Sequence, residues 1–199
     1  VSIYDVATSD QDLPDVEEPA WREVSDIGVA AARVEWAGAA RELLLVAAKK
    51  YQSLVQLKDL AVGVQEQTGI RTKQLPKLWI GGTLAEVYAE NLRRGEPMLP
   101  ALCVNPDESV FEGYAAIVGA ATGETPADPD AHASHERLAA YRHFEAGNLP
   151  SDGGSAMIPA KLGAARARAR KAAIAERPIK ACPKCNLQTP ASGICDTCD

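Results

Sequence analysis

The chain is predicted to be mainly α-helical with a small β-hairpin, followed by a compact unit built on four cysteines. Three observations predict this. Alanine and leucine dominate the first half, and aromatic residues make up only 5% of the chain, which favours helices over a strand-rich core. From Leu99 onward the apolar segments become short and are bracketed by Pro97, Pro100 and Pro106. The chain closes with Cys182-Pro183-Lys184-Cys185 and Cys195-Asp196-Thr197-Cys198.

Taken in order, residues 1–26 are an acidic tail. Asp5, Asp10, Asp12, Asp15, Glu17, Glu18, Glu23 and Asp26 face one base, Arg22. Such a segment buries too little apolar surface to offset its ordering entropy, so it reads as disordered. Between about Ser25 and Tyr51, Ile27, Ala31, Val34, Leu44 and Ala48 supply a helical stripe, with a break expected near Gly38. Leu57, Leu60, Ala61 and Val64 fall at i, i+3, i+4 and i+7, so a second helix runs to Thr68 and Gly69 caps it. Pro76 suits the first turn of a third helix, which Gly95 ends; Ile80, Leu84, Val87 and Asn91 or Leu92 form its inner face. Leu99–Val104 and Val110–Ile117 read as two strands around the turn Asn105-Pro106-Asp107. Three helices and then a two-stranded ribbon is the element order of a winged helix-turn-helix, assigned to residues 27–118. Residues 119–150 are a loop and an accessory helix that Ser134 starts and Gly147 ends. Residues 151–178 are a linker and a basic Ala/Arg-rich helix, and 179–199 are the cysteine unit.

The cysteines identify the chemistry of that last unit. Each Cys-x-x-Cys pair makes a knuckle that presents two sulfurs on one side, and two knuckles complete a tetrahedron. Cys182, Cys185, Cys195 and Cys198 are therefore predicted to bind one Zn²⁺ as a zinc ribbon. Some twenty residues cannot fold on apolar burial alone, so the metal supplies the folding energy. Two disulfides or a thioredoxin-like redox pair are the alternatives. No βαβ pattern precedes the cysteines to support the redox reading. A thiolate metal site with one spare cysteine, Cys103, fits a reducing cytoplasm.

Charge is unevenly placed. The net charge is −6, yet Lys161, Arg166, Arg168, Arg170, Lys171, Arg177 and Lys180 precede the ribbon with one acid, Glu176, among them. The alternating arginines lie about 200° apart around a helix, so they spread around its axis. A second basic segment, with Arg71, Lys73 and Lys77, sits between the second and third helices. Both point to a polyanion such as double-stranded DNA.

The stretch from about Leu54 to Tyr114 resembles the DNA-binding half of alkylguanine-DNA alkyltransferases and of alkyltransferase-like proteins. Val55-Gln56-Leu57-Lys58-Asp59-Leu60-Ala61 stands where that family has V-S-Y-G-E-L-A. Ile80-Gly81 stands at its V-G, and Pro100-Ala101-Leu102-Cys103-Val104 over its P-C-H-R-V; the spacing on to Gly113-Tyr114 agrees with its wing. The resemblance implies a helix-turn-helix whose third helix enters the major groove. It also implies that no alkyl transfer occurs, because Ala101 and Leu102 replace the acceptor cysteine and its histidine. The family's arginine before V-G is Leu78 here, and the segment from Gly81 to Pro97 is longer than the family's.

Other chemistry is sparse. His132 and His135 with Asp128 or Asp130 have metal-like spacing, but in a polar run they read as a surface helix start. Cys103 and Trp79 read as core. There is no phosphate-binding G-x-x-x-x-G-K-[ST] and no Ser-His-Asp set, no run of eighteen apolar residues, and no secretory leader pattern. The sequence thus predicts a non-catalytic, cytoplasmic DNA-binding protein, regulatory or accessory to DNA metabolism. Lys73, Lys77, Arg93 and Arg94 would contact DNA around the third helix, and Arg166, Arg168, Arg170 and Lys171 would contact it from the basic helix. A zinc-ribbon adaptor that docks a protein partner is the alternative.

Overall fold

A long central helix organises the body. The computed structural model describes residues 21–176, 181–186, 189, 195, 197 and 198. The tail up to residue 20, Arg177, Lys180 and most of the loop between the cysteine pairs lie outside the described residues. A short strand β1 (Arg22–Glu23) leads into a one-turn helix α1 (Val24–Ile27) and, after Gly28, into the central helix α2 (Val29–Ala48). Then follow β2 (Val55–Gln56), α3 (Leu57–Thr68), β3 (Ile70–Arg71) and α4 (Pro76–Arg94). A 3₁₀ turn at Leu99–Leu102 runs into β4 (Cys103–Val104), and α5 (Tyr114–Thr122), α6 (Pro129–His143) and α7 (Ala160–Ala175) complete the order.

Helices α3, α4 and α6 and the 3₁₀ turn all pack on α2. The buried face of α2 is Ala32, Trp36, Ala40, Leu44, Ala47 and Ala48. Small residues there let neighbouring helices approach closely. The Trp36 and Trp79 rings meet with centroids 4.2 Å apart, and Trp36 Nε1 donates to the Ile70 carbonyl at 3.1 Å. Trp79 is thus a core residue, as is Cys103.

The second and third helices lie where the sequence places them. Gly69 and Gly95 cap them in the left-handed region at φ 65°, and Pro76 opens the third. Ile80, Leu84, Val87 and Asn91 are buried and Leu92 is exposed.

Four expectations are corrected. The first concerns where order begins: it starts before residue 27. Arg22–Glu23 pairs in parallel with Ile70–Arg71, fixed by ion pairs of Arg22 to Glu35 and of Arg71 to Glu23, both at 2.6 Å. Next, α2 passes through Gly38 unbroken, and Ala31 and Val34 face solvent. In so apolar a helix the large Trp36 sets the buried face, one residue away from the alanine pattern.

The predicted hairpin is also absent. Val104 and Val110 share a single antiparallel bridge, and β4 instead pairs in parallel with β2, Val55 with Cys103 and Gln56 with Val104. Gly113, at φ 93°, redirects the chain, and the Ala-rich run from Tyr114 becomes helix α5. Finally, the accessory helix starts at Pro129, not Ser134. The Asp128 carboxylate accepts from the amides of Asp130 and Ala131, and Pro129 fits the first helical position, so the cap lies six residues earlier. Ser134 lies inside the helix and donates to the Ala131 carbonyl at 2.7 Å. Val118, Ala133, Tyr141 and Ala146 join the same apolar core as α2 to α4.

A polar knot fastens this core at the end of α4. Arg41 on α2 donates to both oxygens of Glu96 at 2.7 and 2.6 Å, and both side chains are mostly buried. Asn91 donates to Glu96 at 3.1 Å and accepts from the Leu99 amide at 3.2 Å. Burial raises the Glu96 pKa, but its hydrogen bonds from Arg41 and Asn91 outweigh this and leave it below the usual carboxylate value. Arg41→Leu strands the carboxylate and should cost about 3 kcal/mol, measured by urea denaturation at neutral pH. Because the folded pKa is depressed, the knot's contribution is present above the unfolded value of about 4.3 and fades as pH falls through the folded one. The gap between wild type and variant should therefore narrow in acid.

Candidate metal centre and basic surfaces

The sequence brings four sulfurs together. Cys182, Cys185, Cys195 and Cys198 place their Sγ atoms within 4.8 Å of one another. Cys185 and Cys195 are 3.6 Å apart, far beyond a disulfide bond of about 2.05 Å. That separation matches the edge of about 3.8 Å in a tetrahedron of 2.3 Å metal–sulfur bonds. The first knuckle shows how its local sequence does this. The Lys184 amide turns back on Cys182 Sγ at 3.4 Å, the Asn186 amide donates to the Cys182 carbonyl at 2.8 Å, and Asn186 takes a left-handed φ of 56°. Asparagine tolerates that region better than most residues.

Cys182 and Cys195 are buried, whereas Cys185 and Cys198 are half-buried. The Thr197 backbone amide, helped by the neighbouring cysteines, lowers the Cys195 thiol to about 7. A lowered thiol favours the thiolate, the form that ligates metal. The donor set is all sulfur, and these four residues can hold one metal ion.

The second group with metal-like spacing takes other partners. The His132 ring nitrogen Nδ1 hydrogen-bonds the Tyr114 hydroxyl at 2.9 Å. Asp128 and Asp130 clasp Arg166 at 2.6 to 2.8 Å. Among the described residues the cysteines are the one cluster suited to a metal.

The predicted DNA contacts fall in three places. Lys73 and Lys77 are exposed at the start of α4 and make no ion pair among the described residues. Arg93 and Arg94 lie about 25 Å away along the same helix. Both are paired with Glu90, which they hold below its usual pKa. On α7, Arg166 is tied to Asp128 and Asp130, and its hydrogen bonds hold the Asp128 carboxyl at about 2. Arg168, Arg170 and Lys171 are exposed and without ion pairs among the described residues. Nothing in the residues around Arg166 sets it apart from its neighbours, since its partners lie 38 and 36 positions away.

The acceptor position of the alkyltransferase resemblance is closed. Ala101, Leu102 and Cys103 are fully buried, and burial pushes the Cys103 thiol up to about 12. No helix among the described residues is long and apolar enough to cross a membrane. No protein-family model, curated protein or solved structure matches the chain.

Proposed function

We propose that this chain is a non-catalytic DNA-binding protein, regulatory or accessory to DNA metabolism. It combines a helix-turn-helix of the alkyltransferase-like kind, with a turn where the hairpin wing was expected, and a zinc ribbon held by Cys182, Cys185, Cys195 and Cys198. The observation that supports it most is the free basic end of α4. Under this reading helix α3, the left-handed turn at Gly69 and helix α4 are the helix-turn-helix; Lys73 in the loop before α4 and Lys77 in its first turn are exposed and make no ion pair among the described residues. The N-terminal end of a helix also favours phosphate through its unpaired amides. The Asn105–Ser109 turn, closed by an Asn105 amide bond to the Ser109 carbonyl at 2.8 Å, takes the place of the wing. The β2–β4 pairing sets Val55-Gln56 beside Cys103-Val104, which belong to two of the four motif segments that carry the resemblance.

A cytoplasmic location follows from the thiolate site under this reading. The test is binding of duplex DNA, measured by fluorescence anisotropy across a salt series. Binding that weakens linearly on a log–log plot supports the reading, and none at low salt rejects it.

The adaptor reading has one observation in its favour. Leu75 and Leu78, 61% and 67% exposed, flank the same lysines and would suit a protein partner. Leu75→Ser with Leu78→Ser separates the two readings, since it should leave backbone-driven DNA affinity nearly unchanged. Incubation with duplex carrying a labelled alkylguanine should leave the protein unlabelled. Label on Cys103 would overturn the non-catalytic assignment.

A further inference from the structure

The residues before Trp21 enter the body beside its free lysines. The Arg22 amide donates to the Gly69 carbonyl at 2.8 Å, β1 pairs with β3, and the Arg71 guanidinium lies over the Trp21 ring, 5.9 Å from its centroid. Lys73 follows Arg71 by two positions and Lys77 by six. Residues 1–20, outside the described residues, are therefore tethered next to these lysines. They carry Asp5, Asp10, Asp12, Asp15, Glu17 and Glu18 and no lysine or arginine.

The surface at this tether is basic, partly apolar and open. Ion pairs join Arg22 to Glu35 and Arg71 to Glu23, which leaves Arg33, Lys73 and Lys77 against Asp26 over residues 21–36 and 69–82. Arg71, Lys73 and Gln74 line a cleft of about 630 Å³ with Val24, Gly28 and Val29. Glu23 lines it too, but Arg71 holds that carboxylate at 2.6 Å. Leu75 and Leu78 stand exposed beside the lysines. No side chain caps the first turn of α4, so its free amides favour a carboxylate. Helix α7 offers comparable charge, but the tether is at β3.

We propose that residues 10–18 dock on this surface and occupy the lysines that DNA would use. Carboxylates of Asp15, Glu17 and Glu18 sit on Lys73, Lys77 and the start of α4, and Leu13 and Val16 lie against Leu75 and Leu78. Glu17 and Glu18 stand four and three positions before Trp21, a reach of about 10–14 Å. A group tethered so closely acts at roughly millimolar effective concentration, so weak ion pairs suffice. The carboxylates supply most of the hold, and the leucines fix where it lies. The docking stands on charge and tether alone. Its consequence rests on the DNA reading: phosphates must displace the segment, which therefore lowers DNA affinity.

Carbodiimide coupling of the dilute full chain, read by mass spectrometry, tests the docking without DNA, since it joins a carboxylate to an amine only in contact. Links from residues 10–18 to Lys73 or Lys77 are expected, and they should fade at about 0.5 M salt. Links mainly to Lys161 or Lys171, or none, would overturn the proposal. The full chain with Asp10, Asp12 and Asp15 changed to Asn and Glu17 and Glu18 to Gln tests the consequence. It should bind duplex DNA about three- to tenfold more tightly than wild type at about 50 mM salt, with the gap closing as salt rises. In a Lys73→Ala, Lys77→Ala background the same changes should gain little. An equal gain there would be an effect of net charge and would reject competition for these lysines. Cross-links without DNA binding by any chain would reject the DNA reading and keep the docked segment. DNA binding that the neutral variant leaves unchanged, with no cross-links, would do the reverse.

Discussion

Replacing Cys195 with serine is expected to abolish stoichiometric metal binding and to unfold the ribbon while the body stays intact. Four thiolates on one ion, at the sulfur spacing seen here, make a closed structural site. Zinc sites of this kind supply roughly 10–16 kcal/mol of apparent folding free energy in small domains, which a segment this short cannot replace. Losing one of four ligands removes most of it. The apolar core of the body contains none of these four cysteines, so its melting transition should not move. Elemental analysis should find one zinc per wild-type chain and none in the variant. A chelator should reproduce the loss in wild type. Protein purified without chelator that contains no zinc would sink the assignment.

The second large effect is expected on DNA. If Lys73, Lys77, Arg168, Arg170 and Lys171 each neutralise one phosphate, the log–log salt slope should be about −4.5, and affinity should fall several hundred-fold between 50 and 200 mM salt. Changing Arg168, Arg170 and Lys171 together to alanine should reduce the slope by about 2.7 and weaken all sequences alike. Alanine preserves the helix, so the loss would report charge and not unfolding. Arg166→Ala should matter less for DNA, because Asp128 and Asp130 already hold that guanidinium. It should instead loosen α7, read as faster amide exchange over residues 160–166. Changes at Lys73 and Lys77 should alter preference among sequences, since they sit at the start of the helix assigned to the groove. Negligible binding by wild type and all variants at low salt would leave the adaptor reading in front.

Local chemistry made a good part of this protein legible from its residues. Gly69, Pro76 and Gly95 mark helix ends because backbone conformation there depends on one residue's own sterics. The inner face of α4 was readable because polar residues separate its apolar ones. The cysteine spacing announced a metal site because two residues between thiols fix a knuckle whatever surrounds it.

Packing settled the rest. In α2 nearly every residue is apolar or small, so periodicity could not say which face is buried, and contact with Trp79 and Ile70 did. The run from Val110 to Ile117 is as apolar as a strand, yet it meets β4 only at the Val104–Val110 bridge and bends at Gly113 into a helix. The roles of individual charges were least visible. Arg137 lies on the inner face of α6 with Ser134 and Tyr141, and Arg166 lies within reach of two aspartates, through folding that brings distant segments together. A charge's effect depends on what solvates or pairs it, and that is a property of three-dimensional neighbours rather than of the residue itself.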